Sequence, residues 1–212
     1  MEKKMVIWDW NGTILDDIQI CFDIANTMRS ARSMPPIPDL VSYRDLFRFP
    51  VIEYYRAMGY TFEQESFEEI SVDFVTRYLA AYPDCSLRPH AVETATALKG
   101  RGIRQGILSA TGQDRLRLQV AHFGLSETFD PILGTGDDLA HGKVEVARDF
   151  LAGSGYDPGQ VVFVGDTDHD LEVANSIGCA CILLTGGHHN CDRLAKLGVP
   201  VLEDVRQLEE YL

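Results

Sequence analysis

Met5-Val6-Ile7-Trp8-Asp9-Trp10-Asn11-Gly12-Thr13-Ile14-Leu15-Asp16 reads as a buried strand that ends on a carboxylate. Met5 to Trp8 is an unbroken apolar run with two β-branched residues, which suits a strand covered on both faces. Asp9 follows at once. A carboxylate placed there, with Gly12 and Thr13 just behind it, can act as a nucleophile or a metal ligand. Asp, Asn and Gly are also ordinary turn residues, so this stretch alone leaves both readings open.

Similar apolar runs recur down the chain. Gly106-Ile107-Leu108, Val161-Val162-Phe163-Val164 and Cys181-Ile182-Leu183-Leu184 read as buried strands. Pro131-Ile132-Leu133 and Val199-Pro200-Val201-Leu202 are weaker candidates, and Pro200 points to an edge. Helical patterns lie between them. Gln113 to Phe123 places Leu116, Val120 and Phe123 on one face and stops at Gly124, while Val144 to Leu151 and Leu171 to Ile177 behave alike, the latter before Gly178. Alternating strands and helices with continuously apolar strands predict an α/β fold, a parallel sheet flanked by helices. Ligands bind such sheets at the carboxyl ends of the strands.

Residues 17 to 86 break the alternation and read as all-helical. Ile18, Cys21, Phe22, Ala25 and Met28 mark one apolar face, and Phe67, Ile70, Phe74 and Tyr78 another. Pro50 opens a short helix that Gly59 closes. This third of the chain holds 12 of the 20 aromatic residues, enough for a core of its own. It is expected to be a helical domain inserted after the first strand.

The 212 residues are 45% hydrophobic and 24% charged, which excludes a disordered or coiled-coil chain. The formal charge of −13 would repel a phosphate backbone, so no nucleic-acid partner is expected. No apolar stretch is long enough to span a membrane, and no signal peptide is evident. Five widely spread cysteines read as free thiols, so a cytoplasmic location is expected.

The other strand ends carry further candidates. Ser109-Ala110-Thr111-Gly112 offers a hydroxyl and free backbone N–H groups at a helix start, which suits an anion or a plain N-cap. Gly165-Asp166-Thr167-Asp168-His169-Asp170 puts three carboxylates within five residues. Such a cluster suits Mg²⁺, though helix starts also favour acids. Lys143 follows Gly142 ahead of a helix.

Together these segments resemble the haloacid dehalogenase (HAD) superfamily of phosphohydrolases over nearly the whole chain. An Asp-x-Asp-Gly-Thr-x-x-Asp pattern is matched from Asp9 to Asp16 with one departure. Ser109, Lys143 and the Gly165, Asp166, Asp170 pattern supply the remaining motifs. The resemblance implies a Rossmann-like core at residues 1–16 and 87–212 with a helical C1-type cap at 17–86, as in phosphoglycolate phosphatase-like members. It implies that Asp9 attacks phosphorus to form an aspartyl-phosphate. Mg²⁺ would be held by Asp9, the Asn11 backbone carbonyl, Asp166 and Asp170. Ser109, Ala110, Gly12 and Lys143 would bind the phosphoryl group, and Lys143 would also hold Asp9. The implied partner is a small phosphorylated metabolite, and the chain would be a monomer or homodimer.

The departure is Asn11. The family's phosphatases usually carry there the Asp that protonates the leaving alcohol, and Asn cannot give or take that proton. Losing such a group typically costs roughly 10²–10⁴ in rate. Three readings stand: a preference for good leaving groups, a substitute acid from elsewhere such as the cap, or a weak or non-catalytic phosphoryl binder. Phosphonatase chemistry needs a cap lysine, and none lies between Lys4 and Lys99. Dehalogenation runs without metal, against which the Asp166–Asp170 cluster argues.

In related caps the Phe47-Arg48-Phe49-Pro50 segment faces the active site, so Phe47 and Arg48 are candidates for substrate specificity, with Arg44 and Arg56 nearby. Cys179, Cys181, His188, His189 and Cys191 match no standard zinc spacing. The two cysteines are expected at a buried strand and the histidines in the loop after it. Alternation puts Trp8 and Trp10 on the face opposite Asp9, as core residues.

Overall fold

A computed structural model describes residues 2–136 and 142–212. In chain order the first part holds β1 (Met5–Trp8), β2 (Leu15–Asp16), α1 (Ile18–Ala31), α2 (Leu40–Leu46), α3 (Val51–Ala57), α4 (Phe67–Ala81) and β3 (Ser86–Leu87). The second holds α5 (Ala91–Gly100), β4 (Arg104–Gly112), α6 (Gln113–His122), β5 (Ile132–Thr135), α7 (Lys143–Ser154), β6 (Val161–Gly165), α8 (Asp168–Ile177), β7 (Ala180–Leu184), α9 (Cys191–Leu194) and β8 (Val201–Leu202).

Six strands form one parallel sheet in the order β5-β4-β1-β6-β7-β8. The expected α/β Rossmann-like architecture is therefore present. β1 is central because both of its neighbours come from distant chain: Trp8 pairs with Ile107 on one side and Val164 on the other. The Asp9 amide continues the ladder by donating to the Val164 carbonyl at 2.8 Å. The chain adds strands to one side of β1 and then returns to the other. This reversal opens a crevice at the carboxyl end of β1.

Period-two alternation sorts β1 between two cores. Val6 and Trp8 join Ile107, Val162 and Val164 on one face, and Met5 and Ile7 join Leu108, Val161 and Phe163 on the other. Asp9 has the parity of Met5 and Ile7, the face that α7 covers through Ala147. Trp8 and Trp10 are fully buried opposite, where their indole N–H groups donate to Gln105 and Gln119, each at 2.8 Å. A buried indole needs such a partner.

Two sequence expectations are extended. β4 runs on past Leu108 to Gly112 because its pairing with β5 shifts register between those residues, so Ser109 lies within an irregular strand end. The helix expected from Val144 begins at Lys143, with Gly142 as a left-handed N-cap. Gly178 closes α8 in the left-handed conformation, φ 70°, where a side chain would be strained. Pro200 precedes β8, the edge strand, as its sequence suggests. Cys179 and Cys181 lie just before and within β7, and His188 and His189 in the loop after it.

Helices α1 to α4 pack around Ile18, Ala25, Met28, Tyr43, Tyr54 and Ile70. Ser66 starts α4 with a reciprocal capping box to Glu69, worth about 1 kcal/mol. β2 and β3 pair antiparallel, Leu15 with Leu87 and Asp16 with Ser86, where the chain leaves for these helices and returns. No helix among the described residues is long and apolar enough to cross a membrane. The cysteines are unpaired, and all but Cys191 are buried.

Candidate active site

At the carboxyl end of β1, Asp9, Asp166 and Asp170 bring carboxylate oxygens within 4.8 Å of one another, all buried. β1 delivers Asp9, the end of β6 delivers Asp166, and the first turn of α8 delivers Asp170. Lys143, at the start of α7, reaches between them. Its Nζ donates to Asp9 Oδ1 at 2.6 Å and to Asp170 Oδ1 at 2.7 Å. Burial opposes the lysine charge, but Asp170 and Asp9 outweigh it and hold the ammonium above its ordinary range.

The acids are fixed by donors. Asp166 accepts from the Thr13 hydroxyl at 2.8 Å and from the His188 amide at 2.6 Å. Asp170 Oδ2 accepts from the amides of Asp166 and Thr167 and from the Thr167 hydroxyl. Close packing enforces this. A Cβ on Gly187 would lie 2.2 Å from Asp166 Oδ2, and one on Gly165 2.3 Å from Asp170 Cγ. Burial pushes Asp9 up to about 8, with Asp170 and Asp166 adding to the rise and Lys143 offsetting only part of it. Asp166 is raised as well, chiefly by burial. Three buried carboxylates against one ammonium leave an excess of negative charge. An all-oxygen donor set of that kind fits a divalent cation such as Mg²⁺.

Asn11 is held on both ends. Its Nδ2 donates to Asp17 Oδ2 at 2.7 Å and to the Tyr78 hydroxyl at 2.6 Å, and its Oδ1 accepts from the Thr111 hydroxyl at 2.9 Å. Asp17 is buried and also accepts from the Gly12 amide at 2.9 Å and the Tyr78 hydroxyl at 2.7 Å. Burial alone would raise its carboxyl, but contacts with His188, Asn11 and Tyr78 bring it below the usual range. His188 places Nε2 3.5 Å from Asp17 Oδ1, while its Nδ1 meets the Tyr43 hydroxyl at 3.1 Å. Burial opposes its charge, but Asp17, Asp166 and Asp9 lift the imidazole above its ordinary value.

Of the residues expected from sequence, Asp9, Asn11, Ser109, Ala110, Lys143, Asp170 and Phe47 line one cavity of about 180 Å³ between the helices and the sheet. Asp166 sits behind them, fully buried. Gly12 does not reach the cavity as a donor: its amide is committed to Asp17 and to the Leu15 carbonyl. Arg48 is not brought there either. Its Nε and Nη2 donate to the Leu46 and Asp45 carbonyls of its own segment. Arg44 donates across to the Gly186 and Gly187 carbonyls, and Arg56 pairs with Glu53 on the helical surface.

Sequence reasoning missed Thr13, Asp17, Tyr78, Arg88 and His188. Arg88 donates to the Gly12, Thr13 and Thr185 carbonyls at 2.5–2.8 Å and so ties the loop after Asp9 to the loop after β7. Arg88→Met should lower stability by about 3 kcal/mol, read as a fall in Tm of about 6–12 °C for a chain this size. An unchanged melting curve would deny it that role.

The same loops join the helical unit to the core. Phe47 stacks on His188 at 4.4 Å, and Phe49 lies 4.6 Å from His169. Arg193 donates to the Phe47 carbonyl and to Asp168, and Asn190 bonds Asp45.

A family model described as haloacid dehalogenase-like hydrolase matches residues 6–184, which includes every acid of this cluster. The chain belongs to that family. Among similar proteins, a phosphoglycolate phosphatase of Rhodospirillum rubrum is 26% identical, the match covering 99% of this chain and 90% of that protein. A tyrosine-protein kinase, PtkA, of Mycobacterium tuberculosis is 27% identical over 98% of this chain and 70% of its own length. A haloacid dehalogenase-like hydrolase structure from Streptococcus pneumoniae superposes with a TM-score of 0.84 at 19% identity, covering 99% and 98% of the two chains, and supports the fold.

Proposed function

We propose that the chain is a Mg²⁺-dependent phosphatase of small phosphorylated metabolites, working through an aspartyl-phosphate on Asp9 and biased towards good leaving groups. That it is a hydrolase of phosphoric monoesters rests on its family and on its phosphatase relatives. The observation that carries the rest is Lys143 bridging Asp9 and Asp170 beside Asp166 at the crevice of the sheet.

Asp9, Asp166 and the Asn11 carbonyl would hold Mg²⁺, with Asp170 in support. Bound there, the ion offsets the repulsion between an anionic nucleophile and an anionic ester. Lys143 fixes one oxygen of Asp9 and, with Ser109 and the Ala110 amide, receives the phosphoryl oxygens, so donors face the charge that grows in the transition state. Asp9 displaces the leaving group from phosphorus, and water then cleaves the acyl phosphate and restores the carboxylate. Asn11 orients without exchanging a proton, which is why the leaving group must depart unaided. The chain would act in the cytoplasm as a monomer or homodimer.

Phosphate release should stop on chelation by EDTA and return with added Mg²⁺. Aryl and acyl phosphates should turn over roughly 10²–10⁴ faster than alkyl phosphates. Equal rates would sink the leaving-group bias and would make His188, which lines the same cavity, the next residue to replace.

The geometry also sets how Asn11 must be tested. Asn11→Asp alone would set two carboxylates against each other, because Asn11 Nδ2 lies 2.7 Å from Asp17 Oδ2. Two acids that close cannot both ionise. The paired change Asn11→Asp with Asp17→Asn should therefore gain more on alkyl phosphates than the single change. If the single variant gains as much, the Asp17 contact has no influence on the acid.

A further inference from the structure

The helical wall of the cavity is largely aromatic. Tyr54 and Tyr55 come from α3, Phe74 and Tyr78 from α4, and Phe47 and Phe49 from the segment between α2 and α3. Among the described residues that line the cavity, none from the helical unit carries a positive charge. Asp17 is the one acid there and lies 3.5 Å from the His188 imidazole, while His188 and Arg115 line the cavity from the core side. A leaving group bearing its own carboxylate, as phosphoglycolate does, would meet aromatic rings and no counter-ion on that wall.

We propose that the substrate is an aryl phosphate, a monoester of a single aromatic ring, whose ring seats between these side chains. This rests on the phosphatase reading above and names its substrate class. Two observations point to this occupant. The cavity, about 180 Å³ and shared with the phosphoryl site, limits the leaving group to about one ring, for which roughly 150 Å³ suffices. Its aromatic walls can pack edge or face against a ring.

The leaving-group chemistry agrees. A phenol ionises near 10, as tyrosine does, whereas an alkyl alcohol, like water, is a far weaker acid. As the Asp9 oxygen bonds to phosphorus, the phosphorus–oxygen bond to the ring breaks and its electron pair leaves on the phenolate. That anion takes its proton from solvent and needs none from position 11. Water then adds to the aspartyl-phosphate, releasing inorganic phosphate and the Asp9 carboxylate.

Ring recognition is separable from leaving-group chemistry with unreactive probes. Phenylphosphonate, methylphosphonate and 2-phosphoglycolate would be titrated calorimetrically into the Asp9→Asn protein with Mg²⁺. Phenylphosphonate should bind at least about 10-fold tighter than either of the others, and Phe74→Ala should remove most of that advantage. With the wild-type protein, phenyl phosphate should show a lower KM than acetyl phosphate, whose leaving group is good but carries no ring. Equal binding of the three probes, or tighter binding of 2-phosphoglycolate, overturns the proposal. If Phe74→Ala does not fold, the probe comparison on the parent decides. Equal binding together with Mg²⁺-dependent turnover refutes only the aromatic substrate. Tight phenylphosphonate binding with no phosphate release from any ester refutes only the phosphatase reading.

Discussion

Asp9→Asn is expected to abolish phosphate release, by about 10⁴-fold or more, while leaving the fold in place. The carboxylate that would attack phosphorus is also an acceptor for Lys143 at 2.6 Å. An amide of the same shape keeps an oxygen for that bond but cannot form the acyl phosphate. A loss of 10⁴ corresponds to about 5.5 kcal/mol of barrier, more than a misplaced acceptor would supply. Burial already pushes the Asp9 carboxyl up to about 8, so an amide there changes little charge without metal, and the variant should melt no lower than its parent. The measurement is phosphate release from an aryl ester beside a melting curve. Residual turnover within 100-fold of the parent would mean that another group attacks.

Lys143→Met should have the second largest effect, and on both activity and stability. The lysine is buried and bonds two carboxylates that have little else of positive charge beside them. Removing it strands those charges, a change that costs about 3–5 kcal/mol, or a Tm fall of about 6–20 °C at this chain length. Mg²⁺ should restore part of the loss, because a ligand that binds the native state alone stabilises it by mass action. The parent should gain less from Mg²⁺ than the variant. Equal shifts in the two proteins would mean that Lys143 and the cation do not share the same charge deficit.

Much of this arrangement was legible in the residues. The unbroken apolar runs identified the parallel strands because strands covered on both faces carry no alternation. Each acid then stood out because it followed such a run. The helical unit announced itself through aromatic residues at helical spacing. What could not be read was contact between distant segments. Asp17 lies six residues from Asn11 and Tyr78 sixty-seven, and nothing in either stretch says that they meet. His188 carried a signal only as one of two adjacent histidines, which invited a zinc reading instead. Arg88 looked like any arginine before a helix, yet carbonyls of two loops converge on it. Arg48 shows the converse: its position beside Phe47 suggested a substrate contact, but the nearest acceptors are carbonyls of its own turn.

The short loop after β7 grips both halves of the molecule. The His188 amide holds Asp166, its ring stacks on Phe47, and the carbonyls of Gly186 and Gly187 receive Arg44. Swinging the helices away would tug on the segment that orients Asp166, the proposed cation ligand. Under the proposed function, ion affinity and the packing of the helices on the core would be linked, each tightening the other by the same factor.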